Sequence, residues 1–193
     1  MCGIVGIASK NDCIDNIISG LYSLEYRGYD SSGLATIKNN HFEYNKNIGK
    51  ISNLEKSVKN NKLSGDVVIA HTRWATHGKP SIKNCHPFIK DNCVLVHNGI
   101  IENYTDLINY YSIKQKNIKS ETDSEIIAEI YNKLLNEFNN PIEAIKNLNK
   151  KIIGSFSFAF LVNGSKSIYV TRRGSPLVLG SGEGYNAVSS DVL

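Results

Sequence analysis

The chain of 193 residues lacks any long apolar run. None approaches the roughly 20 apolar residues that a membrane-spanning helix needs. The N-terminus also lacks the charged segment and apolar stretch of a secretory signal, so we expect a cytoplasmic protein without a membrane partner. Repeats and low-complexity linkers are absent too, and the apolar content of 41% is ordinary for a globular domain. We therefore predict a single domain over residues 1–193.

Cysteine is scarce, and no Cys-x-x-Cys pair occurs. The four cysteines are Cys2, Cys13, Cys85 and Cys93. In a cytosolic chain they are expected to be reduced rather than bridged. Cys85 and Cys93 could form a zinc site together with His86 and His97, but the spacing of these four residues is irregular. We therefore predict no metal.

Positive charge is present but not concentrated. The net charge is +4, and the lysines are scattered through Asn/Lys-rich stretches at 38–64 and 113–119. Neither stretch interleaves basic residues with stacking aromatics, so we expect no nucleic-acid partner.

Helices are indicated by apolar residues at helical spacing and by start signals. The first is predicted from Ile14 to Leu24, with Gly28 as a stop near its end. Three further starts are marked by a capping box of Ser52 and Glu55, a second box of Thr122 and Glu125, and a proline at Pro141.

Strands are indicated by alternation and by buried apolar runs. Hairpins are predicted for 33–38 with 41–48 and for 154–162 with 165–172, followed by a strand at 177–179, a turn at 180–184 and an extended stretch at 185–190. Two continuous apolar runs, 67–70 within the segment 66–71 and 93–96, predict strands buried on both faces, each leading into a polar loop. Hairpins dominate and helices come in blocks, so the predicted class is α+β with largely antiparallel sheet.

The residue after the initiator methionine is the strongest candidate for chemistry. If Met1 is removed, Cys2 carries both a thiol and a free α-amine. The amine has an ordinary pKa of about 7.7–8.0 and can take the thiol proton directly or through one water. The alternatives are a small buried cysteine that opens an edge strand and a chance residue at a frayed terminus.

Asn98 and Gly99 are candidate oxyanion donors, through an amide side chain and a glycine N–H that a substrate can approach closely. Their alternative is a turn, because Asn-Gly is a favoured turn dipeptide.

The histidines are interpreted as structural, since none has a serine or cysteine at the spacing of a catalytic pair. They are His71, His77, His86 and His97.

Three further residues could hold or enclose a substrate. Arg73 can bind a carboxylate bidentately, or else form a surface ion pair. Asp123 can bind an ammonium group, or else favour the first turn of a helix. Trp74, the single tryptophan, is either a hydrophobic lid or a core anchor.

Taken together, these residues resemble the class II glutamine amidotransferase domains, a branch of the N-terminal nucleophile hydrolases. The resemblance spans residues 2–191. It is carried by MCGIVG at 1–6, LEYRGYDSSG at 24–33, AHTRWATHG at 70–78, VHNGIIEN at 96–103 and SETD at 120–123. Within the family the glucosamine-6-phosphate synthases are the most similar subgroup. Amidophosphoribosyltransferases carry an Arg-Tyr-Ser/Thr type loop and a His-Arg-Gly-Gln segment in place of Tyr26-Arg27-Gly28-Tyr29 and Arg73-Trp74-Ala75-Thr76-His77.

The resemblance implies an αββα sandwich, with two antiparallel sheets between helical layers, and no metal or organic cofactor at the site. It also implies hydrolysis of the L-glutamine side-chain amide through a thioester. The implied roles are nucleophile for Cys2, oxyanion donors for Asn98 and Gly99, orientation of the terminal amine for Arg27 and Gly28, carboxylate binding for Arg73, ammonium binding for Asp123, and lining or gating of the pocket for Trp74, Thr76 and His77.

In that subgroup the glutaminase domain continues for several more strands and then joins a sugar-isomerase region, where ammonia reacts with fructose 6-phosphate. We therefore expect residues 1–193 to be a glutaminase domain truncated at its C-terminal end, without the isomerase domains. The full-length protein is expected to be a homodimer. Two alternatives remain: a domain that supplies ammonia to another acceptor, such as a phosphoribosyl substrate, and a non-catalytic glutamine-sensing module. The intact Cys2, Arg73 and Asn98-Gly99 argue against a sensor, which needs no nucleophile.

Overall fold

The computed structural model describes residues 2–74 and 79–192. Its strands are β1 Gly3–Ser9, β2 Ser31–Lys38, β3 His41–Ile48, β4 Val67–Arg73, β5 Phe88–Ile89, β6 Cys93–Ile101, β7 Gly154–Val162, β8 Ile168–Arg173, β9 Val178–Gly182 and β10 Tyr185–Ser189. Its α-helices are α1 Ile14–Ser23, α2 Ile51–Asn60, α3 Tyr104–Tyr110, α4 Asp123–Phe138 and α5 Pro141–Lys151. Three short 3-10 turns lie at Glu25–Arg27, Ile82–Asn84 and Gln115–Asn117. Within these described ranges, no helix has the length and apolarity needed to cross a bilayer.

The strands form two sheets. The larger has the order β3-β2-β4-β1-β10-β9, and the smaller has the order β5-β6-β7-β8. The pairings between the described strands are antiparallel. In the larger sheet β1 lies between β4 and β10, with Gly3 opposite Thr72 and Val5 opposite Ser189. The nucleophile candidate therefore precedes a central strand, not an edge strand.

Three apolar clusters hold the layers together. Helices α1 and α2 bury Ile17, Leu21 and Leu54 against the larger sheet. Helices α3, α4 and α5 cover the smaller sheet, where side chains such as Tyr131 and Phe158 are buried. The third cluster lies between the sheets and contains Ile4, Ile69, Val94, Val96 and Leu161. The order helices, sheet, sheet, helices confirms the αββα sandwich and the α+β class.

Strand β6 shows why a continuous apolar run predicted a strand buried on both faces. Val94 and Val96 belong to the cluster between the sheets, whereas Cys93 and Leu95 belong to the cluster under the helices. Successive side chains of a strand point to opposite faces, so both faces of β6 require apolar residues. The prediction for this run is confirmed.

The predicted helix starts are only partly correct. Helix α5 begins at Pro141 as predicted, with Asn140 capping its first turn. Helix α2 begins one residue before Ser52, so its predicted capping box is wrong; the carboxylate of Glu25 accepts from the Ile51 N–H instead.

Thr122 is the N-cap residue of α4, but its side chain makes no capping bond. The carboxylate of Glu125 accepts instead from the N–H groups of Lys119 and Ser120, and it pairs with Lys90.

Strand ends differ most from the predictions. Strand β4 continues to Arg73, and β6 continues through Asn98 and Gly99, which had been assigned to a loop. The predicted turn at 180–184 is mostly strand, because β9 extends to Gly182. Strand β8 begins at Ile168 rather than at residue 165. Helix α3 was not predicted at all.

Candidate active site

Cys2 is placed by the strand that follows it. The Ile4 N–H donates to the hydroxyl of Ser190 over 3.0 Å, and the Ser190 N–H donates to the Ile4 carbonyl over 3.0 Å. Both Ile4 and Ser190 are completely buried. The backbone just after the nucleophile candidate is therefore fixed in the sheet.

The thiol of Cys2 lies against the backbone of Trp74. The Trp74 N–H donates to Sγ over 3.4 Å, and Sγ lies 3.7 Å from the Trp74 carbonyl oxygen. Burial raises the pKa of the Cys2 thiol, while the Trp74 hydrogen bond and the positive charge of Arg73 act in the opposite direction. The thiol therefore stays protonated at neutral pH unless a nearby base accepts its proton.

The two proposed oxyanion donors lie beside this residue. The side-chain amide of Asn98 donates to the Cys2 carbonyl over 3.1 Å. Gly99 follows on β6 with φ +124°, and a Cβ there would lie 2.0 Å from the carbonyl oxygen of Ser155. No other residue fits this position without moving β7. The Asn-Gly pair is thus a strand element beside Cys2, and the turn interpretation is wrong.

The two charged residues that could hold a substrate share a cavity with Cys2. This cavity is lined by Cys2, Arg73, Trp74, His86, His97, Gly99, Thr122, Asp123 and Ser124. Arg73 ends β4 and is only 4% exposed. The alternative interpretation as part of a surface ion pair is therefore wrong. Asp123 begins α4, and its carboxylate accepts from the Ile101 N–H over 2.8 Å. A cation and an anion in one cavity suit a zwitterionic ligand.

Gly28 is required by close backbone packing. A Cβ at this position would lie 2.5 Å from the carbonyl carbon of Arg73 and 2.7 Å from the nitrogen of Trp74. The Thr72 hydroxyl donates to the Gly28 carbonyl. This glycine therefore supports the same backbone that contacts the Cys2 thiol.

Arg27 makes contacts that the sequence did not predict. Its guanidinium forms an ion pair with Asp191, with Nε donating over 3.0 Å, and Nε also lies 3.1 Å from the Tyr26 hydroxyl. The Tyr26 hydroxyl donates to the same carboxylate. The hydrogen bonds from Tyr26 and Arg27 lower the pKa of Asp191 to about 2.

Trp74 is 47% exposed and packs edge-to-face on Tyr29, with ring centroids 5.6 Å apart. An exposed ring at the cavity is not a core anchor. Thr76 and His77, which the resemblance places in the pocket, lie outside the described residues.

Three histidines are buried together at the cavity, and two of them, His86 and His97, line it. His71 Nε2 lies 2.9 Å from the His97 carbonyl oxygen and 3.0 Å from Asn98 Oδ1. The rings of His71 and His86 are in contact, with centroids 4.0 Å apart and planes tilted by 35°. Burial lowers the pKa of His71 to about 3 and also lowers the pKa values of His86 and His97. All three are therefore neutral near pH 7.

The four cysteines are free thiols. The Cys85 Sγ lies 3.3 Å from the Ser32 carbonyl oxygen, and the Cys93 Sγ lies 3.7 Å from that of Ala128. His97 Nδ1 lies 2.8 Å from the Ser124 hydroxyl. Over residues 2–74 and 79–192, His, Cys, Asp and Glu side chains form no group of three that could hold a metal ion.

Comparison with known proteins decides the family. A family model described as a glutamine amidotransferase domain matches residues 71–192. The chain belongs to the glutamine amidotransferase family. This confirms the resemblance drawn from the motifs, and the amidotransferase domain is an enzyme domain.

Curated relatives carry the name glutamine–fructose-6-phosphate aminotransferase [isomerizing]. The relative from Bradyrhizobium diazoefficiens is 40% identical over 194 residues, and that from Streptococcus agalactiae serotype III is 43% identical over 197 residues. Both alignments cover all of this chain but only 32% of the relative. The chain thus spans about a third of the length of these proteins.

Solved structures support the fold. The glutamine phosphoribosylpyrophosphate amidotransferase from B. subtilis aligns with a TM-score of 0.83 at 23% identity, over 98% of this chain and 42% of that chain. A class-II domain protein from Silicibacter pomeroyi aligns with a TM-score of 0.67 at 15% identity, over 97% of this chain and 88% of that chain. Likeness at such identities identifies the fold and carries no information about the acceptor.

Proposed function

We propose that this domain hydrolyses the side-chain amide of L-glutamine through a thioester on Cys2. The observation that carries the proposal is a single cavity that contains a thiol, a buried arginine and a carboxylate. Arg73 binds the substrate α-carboxylate as a bidentate fork, and Asp123 binds the α-ammonium group. These two contacts point the side-chain amide at Cys2.

The reaction begins after removal of Met1, when the α-amine of Cys2 takes the thiol proton. Sulfur bonds to the amide carbon, and the carbonyl electron pair moves to oxygen. When the tetrahedral intermediate collapses, the C–N bond breaks, and the ammonium group of Cys2 returns its proton to the leaving ammonia. Water then attacks the thioester carbon while the same amine accepts a proton from it. The C–S bond breaks, the amine returns the proton to the Cys2 sulfur, and glutamate leaves.

The oxyanion of both tetrahedral intermediates is stabilised by Asn98 and Gly99. An asparagine amide carries two N–H groups; one donates to the Cys2 carbonyl, and the other serves the oxyanion. The Gly99 N–H is the second donor. Each such donor contributes about 3–4 kcal/mol to catalysis in comparable sites.

The proposed acceptor of the ammonia is fructose 6-phosphate, in a sugar-isomerase region of the same polypeptide. The support is the name of the relatives at 40–43% identity. Glucosamine 6-phosphate is then the product, and the full-length protein is a cytoplasmic homodimer. The proposed mechanism uses no metal or organic cofactor. The likeness to a phosphoribosylpyrophosphate amidotransferase, at 23% identity, concerns the fold alone and does not support a phosphoribosyl acceptor.

The test combines intact mass with glutamate release. Protein that has lost the mass of Met1 is expected to convert glutamine to glutamate and to gain one adduct from a diazo-ketone analogue of glutamine. Cys2→Ala is the control, since Cys13, Cys85 and Cys93 remain in it; it should give neither product nor adduct. Glutamine binding without glutamate release would instead indicate a sensor. An adduct that persists in Cys2→Ala would refute the assignment of the nucleophile.

A further inference from the structure

We propose that His71 is a positioning residue for catalysis: its Nε2–H fixes the side-chain amide of Asn98 with the NH2 group towards Cys2. This inference rests on the proposed function, in which Asn98 is an oxyanion donor. From the sequence His71 was interpreted as purely structural.

The hydrogen bonds define which ring nitrogen carries the proton. His71 Nε2 lies 2.9 Å from the His97 carbonyl oxygen, and a carbonyl oxygen can only accept. Nε2 therefore bears the hydrogen, and it also faces Asn98 Oδ1 at 3.0 Å. His71 is completely buried on β4, so water does not replace this donor.

The same contacts define the orientation of the amide. Asn98 Nδ2 lies 3.1 Å from the Cys2 carbonyl, another group that only accepts. A flipped amide would place Oδ1 against that carbonyl and Nδ2 against the His71 N–H. Both contacts would be repulsive. His71 and the Cys2 backbone together therefore select the orientation that presents N–H groups at the nucleophile.

The charge state of His71 suits a fixed donor. Arg73 and the two other buried histidines, His86 and His97, lie around it, and burial together with these neighbours favours the neutral ring. The Nε2–H is thus present throughout the pH range of an enzyme assay. The described hydrogen bonds of His71 reach His97 and Asn98, so its effect on the reaction passes through the amide.

The experiment compares variants with and without a donor. His71→Phe keeps a ring against His86 and removes the N–H, whereas His71→Gln keeps a side-chain N–H. Val96→Ala is the control for loosened packing, because Val96 is buried on the same strand as Asn98 and belongs to the apolar cluster between the sheets. The activity readouts are kcat and KM for glutamine. The binding readouts are the affinities for glutamate and for glutamate γ-semialdehyde, which forms a tetrahedral adduct with the thiol.

For His71→Phe, kcat should fall roughly ten- to a hundredfold, with KM changed less than about threefold, since one donor is misplaced. Affinity for the semialdehyde should fall by the same factor as kcat, and affinity for glutamate should be unchanged. His71→Gln should recover most of kcat. In an Asn98→Ala background, His71→Phe should add no further loss. Val96→Ala should lower the unfolding midpoint and leave kcat unchanged.

Equal losses of kcat in His71→Phe and Val96→Ala would overturn the proposal, as would additive losses with Asn98→Ala. A measurement on the unmutated protein covers the case in which His71→Phe does not fold. Histidine 15N NMR should show His71 as the neutral Nε2–H tautomer from pH 5 to 9, and an Nδ1–H tautomer would overturn the proposal. Absence of glutamate release from unmutated protein would refute the proposed function, yet the NMR result would still report on His71.

Discussion

The backbone of Gly28 lies directly against that of Trp74, and the Trp74 N–H in turn contacts the thiol of Cys2, the proposed nucleophile. A Cβ on Gly28 would lie 2.7 Å from the Trp74 nitrogen, and that nitrogen donates to Cys2 Sγ over 3.4 Å. A side chain on Gly28 cannot be accommodated without moving the Trp74 amide. The backbone position of Gly28 therefore constrains the Trp74 amide and, through it, the Cys2 thiol.

The first prediction follows from this link. Gly28→Ala should lower kcat for glutamine hydrolysis roughly tenfold or more, which corresponds to about 1.4 kcal/mol of lost transition-state stabilisation. Gly180→Ala is the matched control, because a Cβ at Gly180 meets no atom within 4 Å. Steady-state kinetics of both variants would check this. Equal kcat values in the two variants would show that the Trp74 contact is not needed.

The second prediction concerns the carboxylate contact. Arg73→Lys should raise KM for glutamine roughly ten- to a hundredfold, because an ammonium group cannot reproduce two parallel hydrogen bonds to a carboxylate. The exposed Arg172 provides a control with the same substitution, and Arg172→Lys should leave KM unchanged. A normal KM in Arg73→Lys would remove Arg73 from the proposed carboxylate site.

The third prediction concerns the ammonium contact. Asp123→Asn keeps an oxygen that can accept from the Ile101 N–H, so the start of α4 should survive. The loss of negative charge should raise KM for glutamine roughly ten- to a hundredfold. Glu121→Gln neutralises an exposed carboxylate two residues earlier and should have little effect. If both variants raise KM equally, the general negative potential matters and Asp123 has no direct role.

Short motifs predicted the candidate site residues, each of which lies within one segment of the chain. Cys2, Arg73, Asn98-Gly99 and Asp123 each lie in a short, distinctive stretch, and the structure brings all of them together. The family and the sandwich fold were identified from the same stretches. Even so, the sequence placed Asn98 and Gly99 in a loop, because a glycine after an apolar run normally ends a strand. The strand continues here because its Gly99 backbone, at φ +124°, still pairs with Phe156 on β7.

Relationships between distant segments could not be predicted. The ion pair of Arg27 with Asp191 spans 164 positions, and no local pattern indicates a partner so far along the chain. The hydrogen bond from the Ile4 N–H to the Ser190 hydroxyl spans 186 positions. The position of His71 depends on which face of β4 meets β6, and only the packing of the two sheets decides that.

The last prediction uses the pair of Arg27 and Asp191. Their side chains are only 11% and 19% exposed, and hydrogen bonds from Tyr26 and Arg27 lower the pKa of Asp191 to about 2 in the folded state. In the unfolded chain an aspartate has a pKa of about 3.9. The folded state therefore binds the proton less readily than the unfolded state. The stabilisation from the pair is complete above about pH 5 and is lost as the pH falls towards 2.

Asp191→Asn removes the titrating group, so its effect should depend on pH. At pH 6 the variant should unfold at a lower urea concentration than the unmutated protein, and the gap should shrink as the pH approaches 2. Asp106→Asn on α3 makes the same charge change at an exposed position and serves as the control for the change in net charge. Urea midpoints at pH 6, 4 and 2.5 measure both effects. A gap for Asp191→Asn that stays constant over this range would mean that the carboxylate is not held ionised by Arg27 and Tyr26.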